Sequence, residues 1–265
     1  MNKKVNTKGI TVVKIGGVAL SSQDTTFDDI VTIQQRGLKL VVVHGGANIV
    51  NRWLEKQQIS TNFVNGERVT DQVTLEIVTA VLAGLVNKEI VANINCLGGR
   101  AFGMSGVDGG LLGARVSDEA MGFVGQIDVV DTRALLALIE AGFVPVVAPI
   151  SLNLGCELPH LLNCNGDTVA GEIAATIGAK KLIFLTDVAG ILDRSGKIFK
   201  DLSIDEAEAL ITSGVAKKGM IPKIRAGARA IFSGGVTRIV DGRFSHALIA
   251  EIEGKMEGTT IRAIR

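Results

Sequence analysis

A lysine inside an apolar run constrains this chain more than any other feature. The run Thr11-Val12-Val13-Lys14-Ile15 has the length and composition of a buried strand, and Gly16 and Gly17 follow it directly. An unpaired ammonium group in an apolar interior costs on the order of several kcal/mol, so Lys14 needs an anionic partner unless it reaches water from an edge strand. A strand that opens into a glycine turn also presents backbone N–H groups, which is typical of a phosphate site.

A second apolar run ends in the same way. Residues 39–43 lead into His44-Gly45-Gly46. Because the carboxyl ends of neighbouring parallel strands meet at one edge of a sheet, the two glycine turns place two sets of backbone donors together, which favours phosphate binding. His44 is either a base in this site or a residue packed at the end of a strand.

Strand-length apolar runs alternate with helical patterns along the whole chain. The runs 10–15, 39–43, 143–148, 181–185 and 236–240 predict strands, and helices are predicted over 71–95, 132–140 and 167–177, after the capping box at Ser203 and around Pro222. Buried strands separated by helices indicate an α/β fold, a doubly wound α/β/α sandwich with a mainly parallel central sheet. Short segments between 103 and 163 predict hairpins that cover a small-molecule site.

The composition argues against several classes of protein. Lys and Arg number 28 against 27 Asp and Glu, a formal net charge of +1, so the chain lacks the broad basic surface of a nucleic-acid or anionic-lipid binder. Its three cysteines, Cys96, Cys156 and Cys164, form no CxxC pair and fit reduced thiols. No uninterrupted apolar segment reaches the roughly 18 residues needed to span a bilayer. We therefore expect a cytoplasmic protein with neither a membrane nor a nucleic-acid partner.

Three further positions favour anion binding. Arg68 precedes a predicted helix that begins near Asp71, and a guanidinium fork beside a helix N-terminus suits a carboxylate. Lys223 falls in the first turn of the helix around Pro222, where a cation is unfavourable unless an anion lies nearby. Asp167 stands at the start of another predicted helix and caps it, which is by itself an ordinary role.

Familiar nucleotide motifs do not fit. The stretch Gly190 to Ile198 resembles a Walker A loop, but it has five residues between its glycines and Ile198 where Ser or Thr must reach the metal, so it predicts a turn. No G-x-G-x-x-G sequence follows the first strand, which argues against a dinucleotide fold.

Taken together, the motifs are far more specific than any one of them. In order along residues 10–262, eight of them resemble those of the acetylglutamate kinases within the amino-acid kinase family: Lys14-Ile15-Gly16-Gly17, His44-Gly45-Gly46, Gly66-Glu67-Arg68-Val69-Thr70-Asp71, Val86-Asn87-Lys88, Ser105-Gly106-Val107-Asp108-Gly109, Asn163-Cys164-Asn165-Gly166-Asp167, Thr186-Asp187-Val188-Ala189-Gly190-Ile191-Leu192 and Gly219-Met220-Ile221-Pro222-Lys223.

The resemblance implies an ATP-dependent kinase of arginine biosynthesis that phosphorylates the γ-carboxylate of N-acetyl-L-glutamate. It implies that Lys14 and Lys223 stabilise the transferring phosphoryl group and that Asp167 holds both lysines. It implies an N-terminal lobe, 1–178, that binds acetylglutamate and dimerises, and a C-terminal lobe, 179–265, that binds ATP with Mg²⁺. Acetylglutamate would contact Gly45, Gly46, Arg68 and Asn163. The nucleotide would contact Gly16, Gly17, Asp187, Val188, Ala189, Gly190, Ile191, Leu192, Val215, Ala216 and Lys217. The family pattern provides no protein ligand for the metal.

The implied chemistry agrees with the residues. A γ-carboxylate with an ordinary pKa of about 4.3 is already an anion at neutral pH, so its attack on ATP needs no general base. The obstacle is repulsion between anions, which lysines, magnesium and glycine-turn amides counteract. Two positions depart from the family pattern: Ala47 replaces a frequent third glycine, and Glu67 adds a negative charge beside Arg68.

Two alternatives stay open. A kinase for carrier-linked aminoadipate or glutamate would share the missing third glycine, and a nucleotide- or amino-acid-binding regulatory module would share the fold without turnover. The resemblance further implies a homodimer. Because only about nine residues precede Ile10 and arginine-sensitive relatives carry an additional N-terminal helix, we expect this dimer to be insensitive to arginine.

Overall fold

A computed structural model describes residues 9–16, 25–64, 66–155, 158–216, 219–232 and 234–263. Its strands are β1 (Thr11–Ile15), β2 (Leu40–His44), β3 (Phe63–Val64), β4 (Glu67–Arg68), β5 (Ala101–Ser105), β6 (Leu112–Val116), β7 (Val124–Val130), β8 (Val144–Ala148), β9 (Ile150–Asn153), β10 (Leu161–Cys164), β11 (Lys181–Thr186), β12 (Asp201–Ser203), β13 (Val236–Asp241) and β14 (Gly258–Arg262). Its helices are α1 (Thr26–Gln35), α2 (Ala47–Lys56), α3 (Gln72–Thr79), α4 (Asn87–Cys96), α5 (Arg133–Glu140), α6 (Gly166–Ile177), α7 (Ile204–Thr212), α8 (Ile221–Ile231) and α9 (Ala247–Ile252).

Eight strands form the central sheet in the order β12-β14-β13-β11-β1-β2-β8-β5. Neighbouring strands are parallel except for the antiparallel pair β13 and β14. The predicted α/β class with a mainly parallel sheet is therefore confirmed. The predicted lobe boundary at 178/179 falls between α6 and β11, and the sheet is continuous across it. The division into two binding lobes stays a prediction.

Alternate residues of β1 belong to two cores on opposite faces of the sheet. Val12 packs in the core that contains residues of α5, α6 and α8, whereas Val13 and Ile15 pack in the core that contains residues of α1, α2, α3 and α4. Because side chains of a strand alternate between faces, Lys14 lies on the same face as Val12. The only charged residue of β1 therefore faces α6 and α8.

Two helices on this face approach each other unusually closely. A Cβ atom added at Gly171 of α6 would lie 2.7 Å from the backbone oxygen of Ala226 and 2.8 Å from its Cα and Cβ in α8. A glycine at this point removes the side chain that would hold the helices apart. Asp167 lies one turn before Gly171, and Lys223 lies one turn before Ala226, so the same contact brings the two charged residues together.

A smaller β-structure covers one end of the sheet. Strands β6, β7, β9 and β10 close into a four-stranded barrel, and β3 pairs with β4 in a separate hairpin. The barrel occupies the 103–163 region for which hairpins are predicted. The two hairpins, β6–β7 and β9–β10, exist, but they are also joined to each other by the β10–β7 and β6–β9 pairs.

The sequence predicts the five central strands but not the strands at the margins of the sheet. The predicted strands correspond to β1, β2, β8, β11 and β13, whereas β5, β12 and β14 are not predicted. The predicted helix cap at Asp167 is wrong: Asn165 is the N-cap of α6, and its side chain accepts hydrogen bonds from the backbone N–H groups of Asp167 and Thr168 at 2.8 and 3.3 Å. The Walker-like stretch is a turn closed by a bridge between Leu192 and Ile198, as predicted.

One helix in the described part of the chain is long and apolar enough to cross a membrane by length and composition. It runs over Gln72–Cys96, 25 residues with a mean hydropathy of 1.5 in its most apolar window, and 44% of that window is buried in the fold. Core helices of soluble proteins pass the same test, so this property is weak support for a membrane protein. The helix comprises α3, a π-helical segment Ala80–Val86, and α4.

We predict that Gly171→Ala lowers the free energy of unfolding by about 1–3 kcal/mol, because the added methyl group forces α6 and α8 apart. Gly84→Ala is the control, since a Cβ there meets no atom within 4 Å; it should leave stability unchanged or raise it by up to about 1 kcal/mol. Urea unfolding of both variants measures the difference. Equal stabilities would contradict the close approach.

Candidate active site

Three charged side chains meet at the carboxyl edge of the central sheet. The ammonium group of Lys14 lies 2.7 Å from Oδ1 of Asp167, and Nζ of Lys223 donates a hydrogen bond of 2.9 Å to Oδ2 of the same carboxylate. All three side chains are largely buried, with exposed fractions of 12% for Lys14, 14% for Lys223 and 7% for Asp167. The structure thus brings together three residues of which the first and the last, Lys14 and Lys223, are more than 200 positions apart in sequence.

The charges of this cluster do not cancel. Burial alone raises the pKa of Asp167, but the positive charges of Lys14 and Lys223 and their hydrogen bonds hold that pKa below its ordinary value. Asp167 is therefore ionised at neutral pH, and two ammonium groups share one carboxylate. The cluster keeps a net charge of +1 in a partly buried setting, so a further anion is favourable there.

A cavity of about 240 Å³ opens on one side of the cluster. We refer to it as the inner cavity. It is lined by the predicted substrate-binding residues together with Lys14 and Asp167: Gly45, Gly46, Arg68 and Asn163. Ala47 and Glu67, the two departures from the family pattern, also line it. All four residues predicted to bind the substrate therefore face one space, although their role in binding stays a prediction.

Arg68 is held rigidly at the wall of the inner cavity. Its guanidinium group stacks 4.6 Å above the ring of Phe63, and Nη2 donates a short hydrogen bond to Oδ1 of Asn51 in α2. The residue is only 7% exposed, and Nη1 has no hydrogen-bond partner among the described residues. A buried guanidinium nitrogen without a partner costs on the order of a few kcal/mol, so binding of an acceptor such as a carboxylate in the cavity is favourable.

Asn163 is tied to the same segment as Arg68. Its Nδ2 donates to Oγ1 of Thr70 at 3.1 Å, and the Thr70 hydroxyl in turn donates to the carbonyl oxygen of Arg68 at 2.8 Å. The chain of hydrogen bonds fixes β10 against β4. Asn51, Phe63 and Thr70 are not singled out by sequence reasoning. For Thr70 the signal was its place two residues after Arg68 in the predicted receptor motif.

Gly46 directly precedes α2 and lines the inner cavity. Its φ of 151° lies in a region that favours glycine, and a Cβ there would lie 2.7 Å from Leu82 Cδ2. It is the N-cap of α2 and offers no side-chain cap, so the first backbone N–H groups of the helix remain available for an anion. His44 is a packed residue rather than an exposed base: it is 1% exposed, and burial lowers its pKa to about 4.

Two further cavities lie on the other side of the charge cluster. The outer cavity, about 660 Å³, is lined by seven of the predicted nucleotide-binding residues: Asp187, Val188, Gly190, Ile191, Leu192, Val215 and Ala216. The linking cavity, about 310 Å³, is lined by Lys14, Gly16, Asn48, Asp187 and Lys223 among others. Ala189 does not line either space, and Gly17 and Lys217 lie outside the described residues.

The two lysines connect these spaces. Lys14 lines both the inner and the linking cavity, and Lys223 lines both the linking and the outer cavity. A group that passes from the outer to the inner cavity must therefore pass the two ammonium groups. This arrangement suits the transfer of an anionic group between two bound molecules.

A protein-held metal does not fit the described residues. They contain no group of three or more His, Cys, Asp or Glu side chains that could hold a metal ion. Asp187 is one acidic residue that lines both the outer and the linking cavity. A Mg²⁺ ion at this position would depend mainly on the phosphates of a nucleotide, which is the usual mode for this ion.

Comparison with known proteins decides the family. The model of the amino acid kinase family matches residues 9–241. The chain belongs to the amino acid kinase family. The predicted resemblance is confirmed, and so is the assignment to a family of phosphotransferases.

Individual relatives agree with this assignment. An acetylglutamate kinase of Dehalococcoides mccartyi (strain CBDB1) is 44% identical over 95% of this chain and 94% of its own length. An acetylglutamate kinase of Thermosynechococcus vestitus is 47% identical over 91% and 83%. Among solved structures, N-acetylglutamate synthase from Neisseria gonorrhoeae, complexed with coenzyme A and N-acetyl-glutamate, is 25% identical, covers 97% of this chain and 60% of that chain, and has a TM-score of 0.84.

We predict that Asp167→Asn lowers kinase turnover by about 10²-fold, because the two ammonium groups lose the charge that positions them. Glu172→Gln is a matched control, since Glu172 also joins α6 to α8 through a 2.9 Å ion pair with Arg229 but does not line any of the three cavities. Steady-state kinetics of both variants should show a loss only for Asp167→Asn. An unchanged rate would mean that Asp167 has only a structural role.

Proposed function

We propose that this kinase transfers the γ-phosphoryl group of ATP to the γ-carboxylate of N-acetyl-L-glutamate, a step of arginine biosynthesis. The observation that carries the proposal is the inner cavity, which has a cationic group at each of two places: Arg68, whose Nη1 has no hydrogen-bond partner among the described residues, and Lys14, one of the two lysines paired with Asp167. N-acetyl-L-glutamate has two carboxylates and no positive charge. Relatives at 42–47% identity that carry the name acetylglutamate kinase support the choice.

The α-carboxylate of the substrate pairs with Arg68. The guanidinium group is already fixed by Asn51 and Phe63, so little conformational entropy is lost when it binds a carboxylate. The Nδ2 group of Asn163 lies on the same wall and is a candidate donor to the acetamido oxygen. At about 240 Å³, the cavity is smaller than typical drug-binding sites, and this size suits a small acid.

The γ-carboxylate then lies beside Lys14 and attacks the γ-phosphorus of ATP. A bond forms between a carboxylate oxygen and phosphorus, and the bond from phosphorus to the β–γ bridging oxygen breaks, which releases ADP and leaves an acyl phosphate. The nucleophile is already an anion, so no proton needs to move. Lys14 and Lys223 lie on either side of Asp167 and neutralise the charge that spreads over the transferring group.

The nucleotide occupies the outer cavity, with its phosphates in the linking cavity. Apolar residues such as Ile191, Leu192 and Val215 suit the base, and the phosphates then point to Lys223. Mg²⁺ bound to the phosphates supplies further neutralisation of their charge. The remaining contribution comes from backbone N–H groups at the Gly45–Gly46 turn.

We predict ADP release with purified protein, ATP, Mg²⁺ and free N-acetyl-L-glutamate in a coupled assay. Arg68→Ala should raise KM for N-acetyl-L-glutamate by about 10- to 100-fold and leave KM for ATP nearly unchanged, because it removes a charged hydrogen bond to the acceptor only. Arg68→Lys, which keeps the charge but loses the fork, should fall between the two.

Other outcomes of this assay identify the alternatives. Turnover only with carrier-linked aminoadipate or glutamate would replace the substrate. Saturable binding of N-acetyl-L-glutamate without ADP release would indicate a regulatory module, since one fold can serve different functions. Equal rises of both KM values in Arg68→Ala would contradict the role of Arg68.

The enzyme acts in the cytoplasm as a homodimer. The central sheet ends at β5, whose Phe102 is 45% exposed, and Leu97 just before it is 44% exposed. Exposed apolar side chains at the edge of a sheet favour association between chains. We predict a dimer mass in analytical ultracentrifugation and a monomer for Phe102→Lys. A monomeric wild-type protein at micromolar concentration would contradict the proposal.

A further inference from the structure

Asn87 is a fully buried polar residue beneath the inner cavity. It begins α4 directly after the π-helical segment, and its side chain has no exposed surface. Its Nδ2 lies 2.9 Å from the carbonyl oxygen of Val146 in β8, 3.3 Å from that of Met104 in β5 and 3.2 Å from Nε2 of His44 in β2. One side chain therefore contacts three neighbouring strands of the central sheet.

The sheet makes room for this contact. A Cβ atom at Gly103 would lie 2.2 Å from Oδ1 of Asn87, so only a glycine allows the side chain to reach the strands. Oδ1 also accepts a hydrogen bond of 3.1 Å from Nζ of Lys88. A buried polar group with this many specific contacts has one orientation.

That orientation is fixed by chemistry. Carbonyl oxygens only accept hydrogen bonds, so the end of the Asn87 amide that faces Val146 and Met104 must be the NH₂ group. The same NH₂ group faces Nε2 of His44, and because an amide nitrogen does not accept hydrogen bonds, a proton on Nε2 would have no acceptor there. His44 is then the neutral tautomer that carries its proton on Nδ1, and Nδ1 donates to the carbonyl oxygen of Gly45 at 2.8 Å.

His44 stays neutral around neutral pH. Burial and the positive charges of Lys14 in β1 and Lys88 in α4 lower its pKa to about 4, although the hydrogen bond to Gly45 raises it. The Gly45 carbonyl, which only accepts, requires the proton on Nδ1, and the NH₂ group of Asn87 disfavours a proton on Nε2, so both neighbours favour the same tautomer.

The hydrogen bond from His44 determines where the next N–H group points. In a trans peptide the C=O and N–H groups point in opposite directions. Because His44 holds the Gly45 carbonyl, the N–H of Gly46 points away from His44, and both glycines line the inner cavity beside Lys14 and Asp167. A backbone donor at this place acts on the group being transferred.

We propose that Asn87 and His44 are positioning residues, which fix the Gly45–Gly46 peptide so that the Gly46 N–H faces the transferring phosphoryl group. The proposal rests on the proposed function for its kinetic part. Neither residue lines the inner cavity, so both act through the peptide.

The decisive experiment compares two substitutions of His44. The side-chain amide of Asn carries its nitrogen near the place of Nδ1, so His44→Asn keeps the donor to Gly45, whereas the amide of Gln reaches the place of Nε2 and His44→Gln loses that donor. We expect His44→Asn to retain kcat within about 3-fold and His44→Gln to lose about 10- to 100-fold in kcat with little change in either KM, because the lost interaction belongs to the transition state. Equal losses in two folded variants would overturn the proposal.

A second measurement needs no substrate. The ¹⁵N chemical shifts of the His44 ring in the free protein should report the Nδ1–H tautomer in the wild type and a larger share of the Nε2–H tautomer in Asn87→Ala, where the Asn87 NH₂ group no longer disfavours a proton on Nε2. A wild-type ring with its proton on Nε2 would overturn the proposal. If the spectrum gives the expected tautomer but N-acetyl-L-glutamate is not phosphorylated, the proposed function fails and the arrangement of His44 stands.

Discussion

One carboxylate shared by two ammonium groups is the interaction on which this molecule depends. Asp167 lies 2.7 Å from Lys14 and 2.9 Å from Lys223, and all three are mostly withdrawn from water. Removing one partner of a buried ion pair costs on the order of 3–5 kcal/mol, because the remaining charge is left unpaired. The cluster has two ammonium groups and one carboxylate, so one positive charge stays uncompensated without a further anion. The cluster is thus stabilised by its ion pairs and still favours binding of a further anion.

Several local features serve to assemble this cluster. The alternation of β1 turns Lys14 toward α6, the Asn165 cap frees Asp167 from the helix end, and the glycine contact between Gly171 and Ala226 lets α8 deliver Lys223. None of them touches a substrate. Each nonetheless contributes to the distances in the cluster, so residues that only pack or cap also set the positions of the charged groups.

Much of this architecture could be predicted from the sequence, for identifiable reasons. The central strands are rich in Val, Ile and Leu, and an uncompensated Lys14 or Lys223 signals an absent anion. Two strands at the edges of the sheet are not predicted because β5 has Gly103 at its centre and β12 has only three residues. The sequence predicts Asp167 rather than Asn165 as the cap because both residue types cap helices. In the structure the carboxylate of Asp167 pairs with the two lysines, and the side chain of Asn165 caps the helix.

Sequence spacing does not identify Asn87 and His44 as positioning residues, because most of their hydrogen-bond partners are backbone carbonyl oxygens, which every residue has. Their role becomes visible only when the donors and acceptors around them are counted. The same holds for Asn51, which anchors Arg68 of β4 from helix α2. Sequence patterns thus reveal groups that need a partner, whereas the structure reveals the groups that orient them.

The strand order also has a consequence for how the chain acquires its structure. β1 is synthesised well before β11, yet the two strands are neighbours in the interior of the sheet, where Thr11 pairs with Lys181. Until the later strand emerges from the ribosome, one edge of β1 has no partner, and nascent chains with open apolar edges tend to aggregate. Contacts of such long sequence separation also slow folding. Lys14 lies on this open strand, and its charge disfavours pairing with other chains during that interval.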